Sequence, residues 1–289
     1  VSDIVLLTGR TMPREVTEND LLVTELRSLG VTAEIQPWDE PLDWDAHGMA
    51  LVRTTWDYWD RLEEFLTWAE RTDRATTLRN PAEVITWNHH KGYLPALGEQ
   101  GTAVIPTTLL PRGADQAAID AALAEFRERH GTVETVAKPA VSAGARGALR
   151  SPVDAPETAA HLRELTRHGD ALLQPLVESV LSRGETSLVF FGTEFSHAVR
   201  KVPASGEYRI HEHHGGTVQE HLPSEAELAV ARAALKGAPA PVAYGRVDLV
   251  ELADGPAVME LELIEPELFL PFAPGATARY AHHLAGLLP

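Results

Sequence analysis

Short apolar runs alternate with helical segments from the start of the chain. Residues 4–8, 31–36 and 49–53 read as strands, and residues 18–29 read as a helix stopped by Gly30. Thr17 or Asn19 offers the helix cap, so the opening is a βαβ unit followed by a third strand. A helical crossover between strands sets them parallel, which gives an open parallel sheet. Leu62, Phe65, Leu66 and Ala69 recur at helical spacing, and Asn80-Pro81 supplies a turn. The first domain is expected to span residues 1–86. The pattern then changes to helix 91–100, strand 104–109, helix 115–130, strand 134–138, a Gly-bearing loop 141–147, strand 148–151, helix 156–168 and strand 171–175. This is a small α+β unit, expected at 87–176. The remainder, 177–289, reads mostly as strands (185–191, 194–201, 208–212, 243–252, 257–264), with helices at 224–236 and 276–288.

Composition narrows the function. Of the 289 residues, 44% are apolar and 23% charged, ordinary usage for a folded globular chain. Lys and Arg number 25 against 42 Asp and Glu, a formal net charge of −17. Such a surface repels phosphate backbones and anionic lipid heads, so neither nucleic acid nor a membrane is an expected partner. Cysteine is absent, which removes disulfides, thiolate metal sites and Cys nucleophiles. No apolar run approaches the roughly 20 residues that span a bilayer. The opening VSDIVLLTGR lacks a basic lead and a small-residue cleavage site, so it reads as a strand and the expected location is the cytoplasm. Association of the chain into a homo-oligomer is left open. Among the 25 basic residues only Lys91, Lys138, Lys201 and Lys236 are Lys. In so Arg-biased a chain, a retained Lys points to a place where a compact charge matters, such as a phosphate.

Two local patterns carry chemistry. A strand ends in Lys138-Pro139 and runs into VSAGARG (141–147), a loop of small residues. Such a loop lets backbone N–H groups approach phosphate oxygens, while Lys138 supplies charge. It is not a Walker loop, which requires GxxxxGK[ST]; an ordinary hairpin with a solvated Arg146 is the competing reading. Far downstream, GRVDL (245–249) and VMELEL (258–263) read as strands. Period two puts Glu260 and Glu262 on one face, and pairing of the two strands adds Asp248. Three carboxylates without thiolate or His company suit Mg²⁺. The competing reading is the solvated face of an edge strand.

Lys91 in WNHHKGYL, Lys138 in VAKPAVSAGARG, QPLVE (174–178), GETS (184–187), GRVDL and MELELIEP follow one another as in the ATP-grasp superfamily, which residues 85–270 resemble. The βαβ start is similar to the preceding domain of glutathione synthetases and related carboxylate-amine ligases. The resemblance implies an α/β chain, α+β in the ATP-grasp part, in which an ATP-grasp fold follows an open parallel-sheet domain. It implies ATP and Mg²⁺ as cofactors. Lys91 and Lys138 would hold the α and β phosphates, with Ser142, Gly144 and Ala145 in the loop that covers them. Gln174, Pro175, Leu176 and Val177 would turn their backbone to adenine, with Glu178 and Glu185 near ribose and base. Asp248, Glu260 and Glu262 would hold the metal; where many relatives have Asn, this chain has Glu262. Arg246 would face the transferred phosphoryl group. The stretch around Arg200-Lys201 and 206–216 resembles the superfamily's substrate and γ-phosphate loop, which makes Lys201 and Arg209 anion contacts. His211, His213 and His214 lack HExxH spacing and read as loop residues.

Within the superfamily, VRTTWDYWDR (52–61), SGEYRIHEHHGG (205–216) and ELELIEPELF (260–269) are most similar to the cyclo-ligases of D-cycloserine biosynthesis, which act on O-ureido-D-serine. The implied reaction activates the carboxylate with ATP and closes a ring through the ureido nitrogen of the same molecule. No covalent nucleophile is required, in keeping with the absence of Cys and of GxSxG. Residues 53–60 lie at the C-terminal end of an expected strand, where open sheets place their ligands. Arg53, Thr55, Trp56, Asp57 and Tyr58 are therefore read with Glu265 as a small amino-acid pocket, Asp57 and Glu265 facing the amino group. A helix start packed with tryptophans is the alternative. Two other functions stay open: an intermolecular amino-acid or peptide ligase, and a nucleotide-binding sensor without turnover. Thr8-Gly9-Arg10 lacks the GxGxxG of a nicotinamide enzyme.

Overall fold

The computed structural model describes residues 2–11, 17–131, 133–142, 144, 146–203 and 216–289. Its first sheet is built from β1 (Ser2–Thr8), β2 (Ala33–Pro37), β3 (His47–Thr54) and β4 (Thr77–Arg79), with helix α1 (Glu18–Ser28) after β1 and α2 (Leu62–Ala75) after β3. The strands pair in parallel in the order β2-β1-β3-β4, as the opening pattern predicts. The order reverses between β1 and β3, and the carboxyl ends of those strands, at Thr8 and Thr54, are where open sheets place their ligands.

Helices α3 (Ala82–Asn88) and α4 (Tyr93–Glu99) follow. The next sheet contains β5 (Thr108–Leu110), β6 (Glu134–Pro139), β7 (Leu149–Pro152) and β8 (Ala171–Pro175), in the order β5-β8-β6-β7 and antiparallel throughout. Helices α5 (Gln116–His130) and α6 (Pro156–His168) cover it through Ile119, Phe126 and Leu162. Asp115 caps α5 by accepting from Ala118 N–H, and Pro156 opens α6 at a position that needs no donor.

Helix α7 (Glu178–Arg183) leads into the largest sheet: β9 (Glu185–Phe191), β10 (Glu194–Val202), β11 (Thr217–His221), β12 (Tyr244–Leu252) and β13 (Gly255–Glu262), ordered β11-β10-β9-β12-β13. Helix α8 (Glu225–Lys236), started by a Ser224/Glu227 capping box, lies on one face. There Leu188, Phe190, Val247, Leu249, Leu261 and Leu263 share a core with Leu94 and Leu97 of α4 and Ala231 and Ala234 of α8. Residues 82–99 thus pack on the third sheet, although the central unit was expected to begin at 87. The strand expected at 208–212 lies outside the described residues. The final helix α9 (Ala276–Ala285) returns to α1, where Tyr280, Ala281 and Leu284 join Leu22 and Leu26 in one core. Among the described residues no helix is long and apolar enough to cross a membrane.

The outer edge of β13 is closed by side chains and by a short loop. Val258 exchanges backbone bonds with Ala103 and Ile105. Leu261 N–H donates to Tyr93 Oη at 3.0 Å and Leu261 C=O accepts from Asn88 Nδ2 at 2.9 Å. Leu263 N–H donates to Asn88 Oδ1 at 2.8 Å, and Leu263 C=O accepts from Asn80 Nδ2 at 2.7 Å. Asn80 also accepts from Ala243 N–H at 2.6 Å and donates to Tyr244 C=O at 3.0 Å, so one amide ties the first unit to two strands of the third.

His197 on β10 is buried, with Nε2 2.7 Å from Leu268 C=O and Nδ1 2.9 Å from Ser196 Oγ. Burial, with the nearby Arg279 charge, pushes its imidazole down to about 4, against the pull of its backbone acceptor. The unfolded chain takes up the proton near pH 6.5 and the folded one only near 4, so this contribution is complete above pH 6.5 and is lost as pH falls through that window. It amounts to on the order of 3 kcal/mol. Melting of wild type and of His197→Gln between pH 7 and 4 checks it: the wild type is expected to lose the excess stability and the variant to lack that loss.

Candidate active site

The face of the third sheet turned away from α8 is charged. Arg246 stands opposite Glu262 and Asp248 opposite Glu260 across β12 and β13. Ser187 faces Asp248 from β9, and Lys201 faces Glu185 across β9 and β10. Positive φ at Gly184 lets the chain pass the Lys201 carbonyl, which a Cβ would meet at 2.1 Å, and this seats Glu185.

Cations and carboxylates alternate along this face. Lys201 Nζ lies 2.5 Å from Glu185 and 3.2 Å from Asp248. Arg246 gives Nε and Nη2 to the two oxygens of Asp248, each at 2.9 Å, reaches Glu262 as well, and donates Nη1 to Glu267 C=O at 3.0 Å. Ser187 Oγ donates to Asp248 at 2.5 Å. Lys91, brought in between α3 and α4, lies 3.2 Å from Glu260 and donates to Ser142 C=O at 2.6 Å. Lys138, at the end of β6, is half-buried and interacts electrostatically with Glu260, Lys91 and Glu185. Of the two lysines read as phosphate contacts, Lys91 pairs with Glu260, and Lys138, from a different unit, acts on the same carboxylate through its charge.

Protonation follows the crowding. Burial pushes the Asp248 carboxyl up, but Arg246, Lys201 and Ser187 outweigh it and hold the group well below the usual carboxylate range. Glu260 is likewise lowered: burial opposes ionisation, while Lys91 and Lys138 overcome it. Burial, with the charges of Glu260 and Asp248, raises Glu262 to about 7 despite Arg246. Burial raises Glu185 to about 8 against Lys201, with Asp248 adding to the rise. Lys138 is lowered by burial and by Lys91.

Among the described residues, no group of three or more His, Asp and Glu stands ready to hold a metal ion. The expected trio is interleaved with cations, because the register that aligns Asp248, Glu260 and Glu262 also sets Arg246 between them. The donor chemistry nevertheless fits Mg²⁺: the groups are carboxylate oxygens, and the Glu260 and Glu262 side chains keep 28% and 27% of their exposure. A divalent ion would also relieve the repulsion that raises Glu262. Asp248, 2% exposed, has both oxygens engaged and serves first as the anchor of Arg246.

The expected adenine strand is more committed than its sequence suggests. Gln174 is buried and donates to Thr107 Oγ1 at 2.9 Å, Leu176 N–H donates to Glu134 C=O at 2.8 Å, and Pro175 has no N–H. Val177 is buried beside Val180 and Val250. Glu178 is exposed in the first turn of α7, while Glu185 is buried against Lys201, so these two acids do not share an environment. Ser142 is half-buried and Gly144 exposed. Ala145 and Arg209 lie outside the described residues.

The amino-acid segment divides in two. Trp56 Nε1 donates to Glu265 C=O at 2.9 Å, and the buried Tyr58 hydrogen-bonds the Glu265 carboxyl. Burial and Glu262 raise that carboxyl to about 8. Trp56, Tyr58 and Glu265 thus converge beside the charged face. The other three turn elsewhere. Arg53 is fully buried, 3.3 Å from Glu18 and between the rings of Tyr244 and Tyr280, and is a core charge, not a pocket wall. Thr55 is fully buried with its hydroxyl unpaired. Asp57 accepts from Trp38 Nε1 and from Arg10 N–H, each at 2.9 Å, and its carboxylate lies against Gly9, leaving no room for a Cβ. It orders the end of the first sheet, so the amino-group role expected for it does not match its contacts. Trp59, which the sequence reading did not single out, lies under Arg146; an aromatic residue in a segment facing a basic loop was the available signal.

Comparison with known proteins bears on this arrangement. A family model described as D-cycloserine synthetase DcsG, N-terminal domain, matches residues 4–80. The cycloserine biosynthesis protein DcsG of Streptomyces lavendulae is 36% identical over 288 residues, covering 91% of each chain. The chain belongs to the DcsG family. The crystal structure of D-cycloserine synthetase DcsG superposes with a TM-score of 0.86 at 33% identity, over 99% of both chains. At the level of the fold alone, a D-alanine–D-alanine ligase from Bacillus anthracis complexed with ATP gives a TM-score of 0.66 at 14% identity, over 99% of this chain and 97% of that one. The DcsG family chain described here is an ATP-grasp ligase with a parallel-sheet unit in front.

Proposed function

We propose that the chain is an ADP-forming cyclo-ligase that converts O-ureido-D-serine to D-cycloserine. The observation that carries the reading is the Lys91–Glu260 pair with the Lys138 charge acting on the same carboxylate, beside the cluster of Trp56, Tyr58 and Glu265. Lys91 pairs with a carboxylate and Lys138 lies in reach of its charge; ATP would offer both lysines phosphate oxygens instead. Glu260 and Glu262, with Asp248 behind them, would hold Mg²⁺, which neutralises phosphate charge as the γ-phosphoryl moves.

The substrate carboxylate attacks the γ-phosphorus, the β–γ bridging oxygen leaves with ADP, and an acyl phosphate forms. The oxygen-bound ureido nitrogen of the same molecule then attacks the acyl carbon, phosphate departs and the nitrogen's proton goes to solvent; water cleaves the remaining nitrogen–carbonyl bond, which releases carbon dioxide and ammonia. Arg246 is fixed by Asp248, Glu262 and Glu267 C=O, and presents an oriented charge to the oxyanion that develops at that carbon. Glu265 and Tyr58 bind the amino-acid end. Use of ATP and a sequence without cysteine suit the cytoplasm.

ADP release with O-ureido-D-serine as the sole organic substrate tests the proposal. One ring product per ADP, identified by mass, is expected without any second acceptor. ADP formed only when a second amine is added, with a condensed product, would establish the intermolecular ligase; nucleotide binding without ADP would leave a sensor.

A further inference from the structure

Between β6 and β7, Ser142 and Arg146 are each held by a residue of another segment. The Ser142 carbonyl accepts from Lys91. The Arg146 guanidinium lies 3.6 Å from the centroid of the Trp59 ring, with Asp60 at 3.8 Å. Trp59 is a prepared platform: it is half-buried against the core of the first unit, and its Nε1 donates to Trp56 C=O at 2.9 Å. Trp56 in turn donates to Glu265 C=O. A continuous path runs from Arg146, through two tryptophans, to the segment that follows β13.

We infer that Arg146 is a positioning residue, a latch that holds the chain at Arg146 and Gly147 on Trp59 and so couples the entry to β7 to the state of the amino-acid segment. The inference rests on the ligase reading for its catalytic consequence, but not for the latch itself. The ring supplies most of the hold, because the Arg146 and Asp60 side chains are 63% and 65% exposed and a surface ion pair contributes little. The latch matters chemically because the acyl phosphate is open to water. With the latch released, a water oxygen bonds to the acyl carbon, the carbon–oxygen bond to phosphate breaks, phosphate leaves and a proton goes to solvent. The original carboxylate returns and ATP has been consumed without a ring.

The test uses the full chain with Trp59→Ala and Trp59→Phe. Trypsin can cut Arg146–Gly147 only when Arg146 leaves the ring, and Arg183–Gly184 in the same digest reports general loosening. Trp59→Ala is expected to speed cleavage after Arg146 by roughly two- to fivefold, the range of an exposed cation–π contact, without a matching rise at Arg183. Trp59→Phe keeps a ring face and is expected to remain near wild type. In turnover, the ratio of ADP to ring product is expected to rise above one in Trp59→Ala and Arg146→Ala and to be partly restored in Arg146→Lys. Unchanged cleavage after Arg146 in Trp59→Ala, or an equal rise at both bonds, overturns the latch. If wild type itself releases no ADP with O-ureido-D-serine, the ligase reading falls, and the cleavage comparison still decides the latch.

Discussion

Glu260→Gln is expected to lower ADP-forming turnover by about 10³-fold, the scale on which a preorganised charge acts in a dry site. Glu260 pairs with Lys91, feels the charge of Lys138, and is one of the two more exposed candidate metal donors. The amide removes the charge and keeps the shape. Lys91 then loses its ion-pair partner, Lys138 loses a neighbouring negative charge, and one metal donor becomes weak. Steady-state ADP release at saturating ATP measures the effect, and a melting curve close to wild type separates it from unfolding. A variant within tenfold of wild type would remove Glu260 from the phosphate and metal machinery.

Arg246→Met carries the largest expected stability effect. Arg246 is 7% exposed and takes up both oxygens of Asp248, itself 2% exposed, while also binding Glu262. Removing the cation leaves a buried carboxylate with only Lys201 and Ser187. Breaking a buried pair on one side costs about 3–5 kcal/mol, which for a chain of this size lowers the melting temperature by roughly 10 °C. Adding Asp248→Asn to Arg246→Met relieves the orphaned charge and is expected to recover part of that loss while turnover stays abolished. Differential scanning calorimetry on the single and double variants, beside ADP release, separates the structural share of the pair from its catalytic share. Equal melting of wild type and Arg246→Met would contradict the account.

What the residues disclosed in advance depended on the range of the interactions. Period two along 258–263 was enough to align Glu260 and Glu262 on one face, because strand geometry is local. The alternation in the first 54 residues was enough for a parallel sheet. Arg53 illustrates the limit: its partner Glu18 is 35 residues away, so at the end of a strand it resembled a ligand-binding cation. Asp57 misled similarly, since Trp38 and Arg10, which engage it, come from other loops. Arg246 was recognised as important, but its place between Asp248 and Glu262 emerges only when two strands are set in register. Helix α3 and strand β4 were passed over because Asn80-Pro81 registered only as a turn, while the Asn80 side chain joins the first unit to the third sheet.

The closure of β13 along its outer side has a consequence for assembly. Sheets commonly recruit neighbours by offering a free row of amides and carbonyls, and such a row is the usual entry point for a guest peptide or a second subunit. Here Tyr93, Asn88, Asn80 and the 103–105 stretch already fill that row. The strand that bears the acidic pair is insulated from intrusion, and any quaternary partner would have to dock on some other border of the molecule.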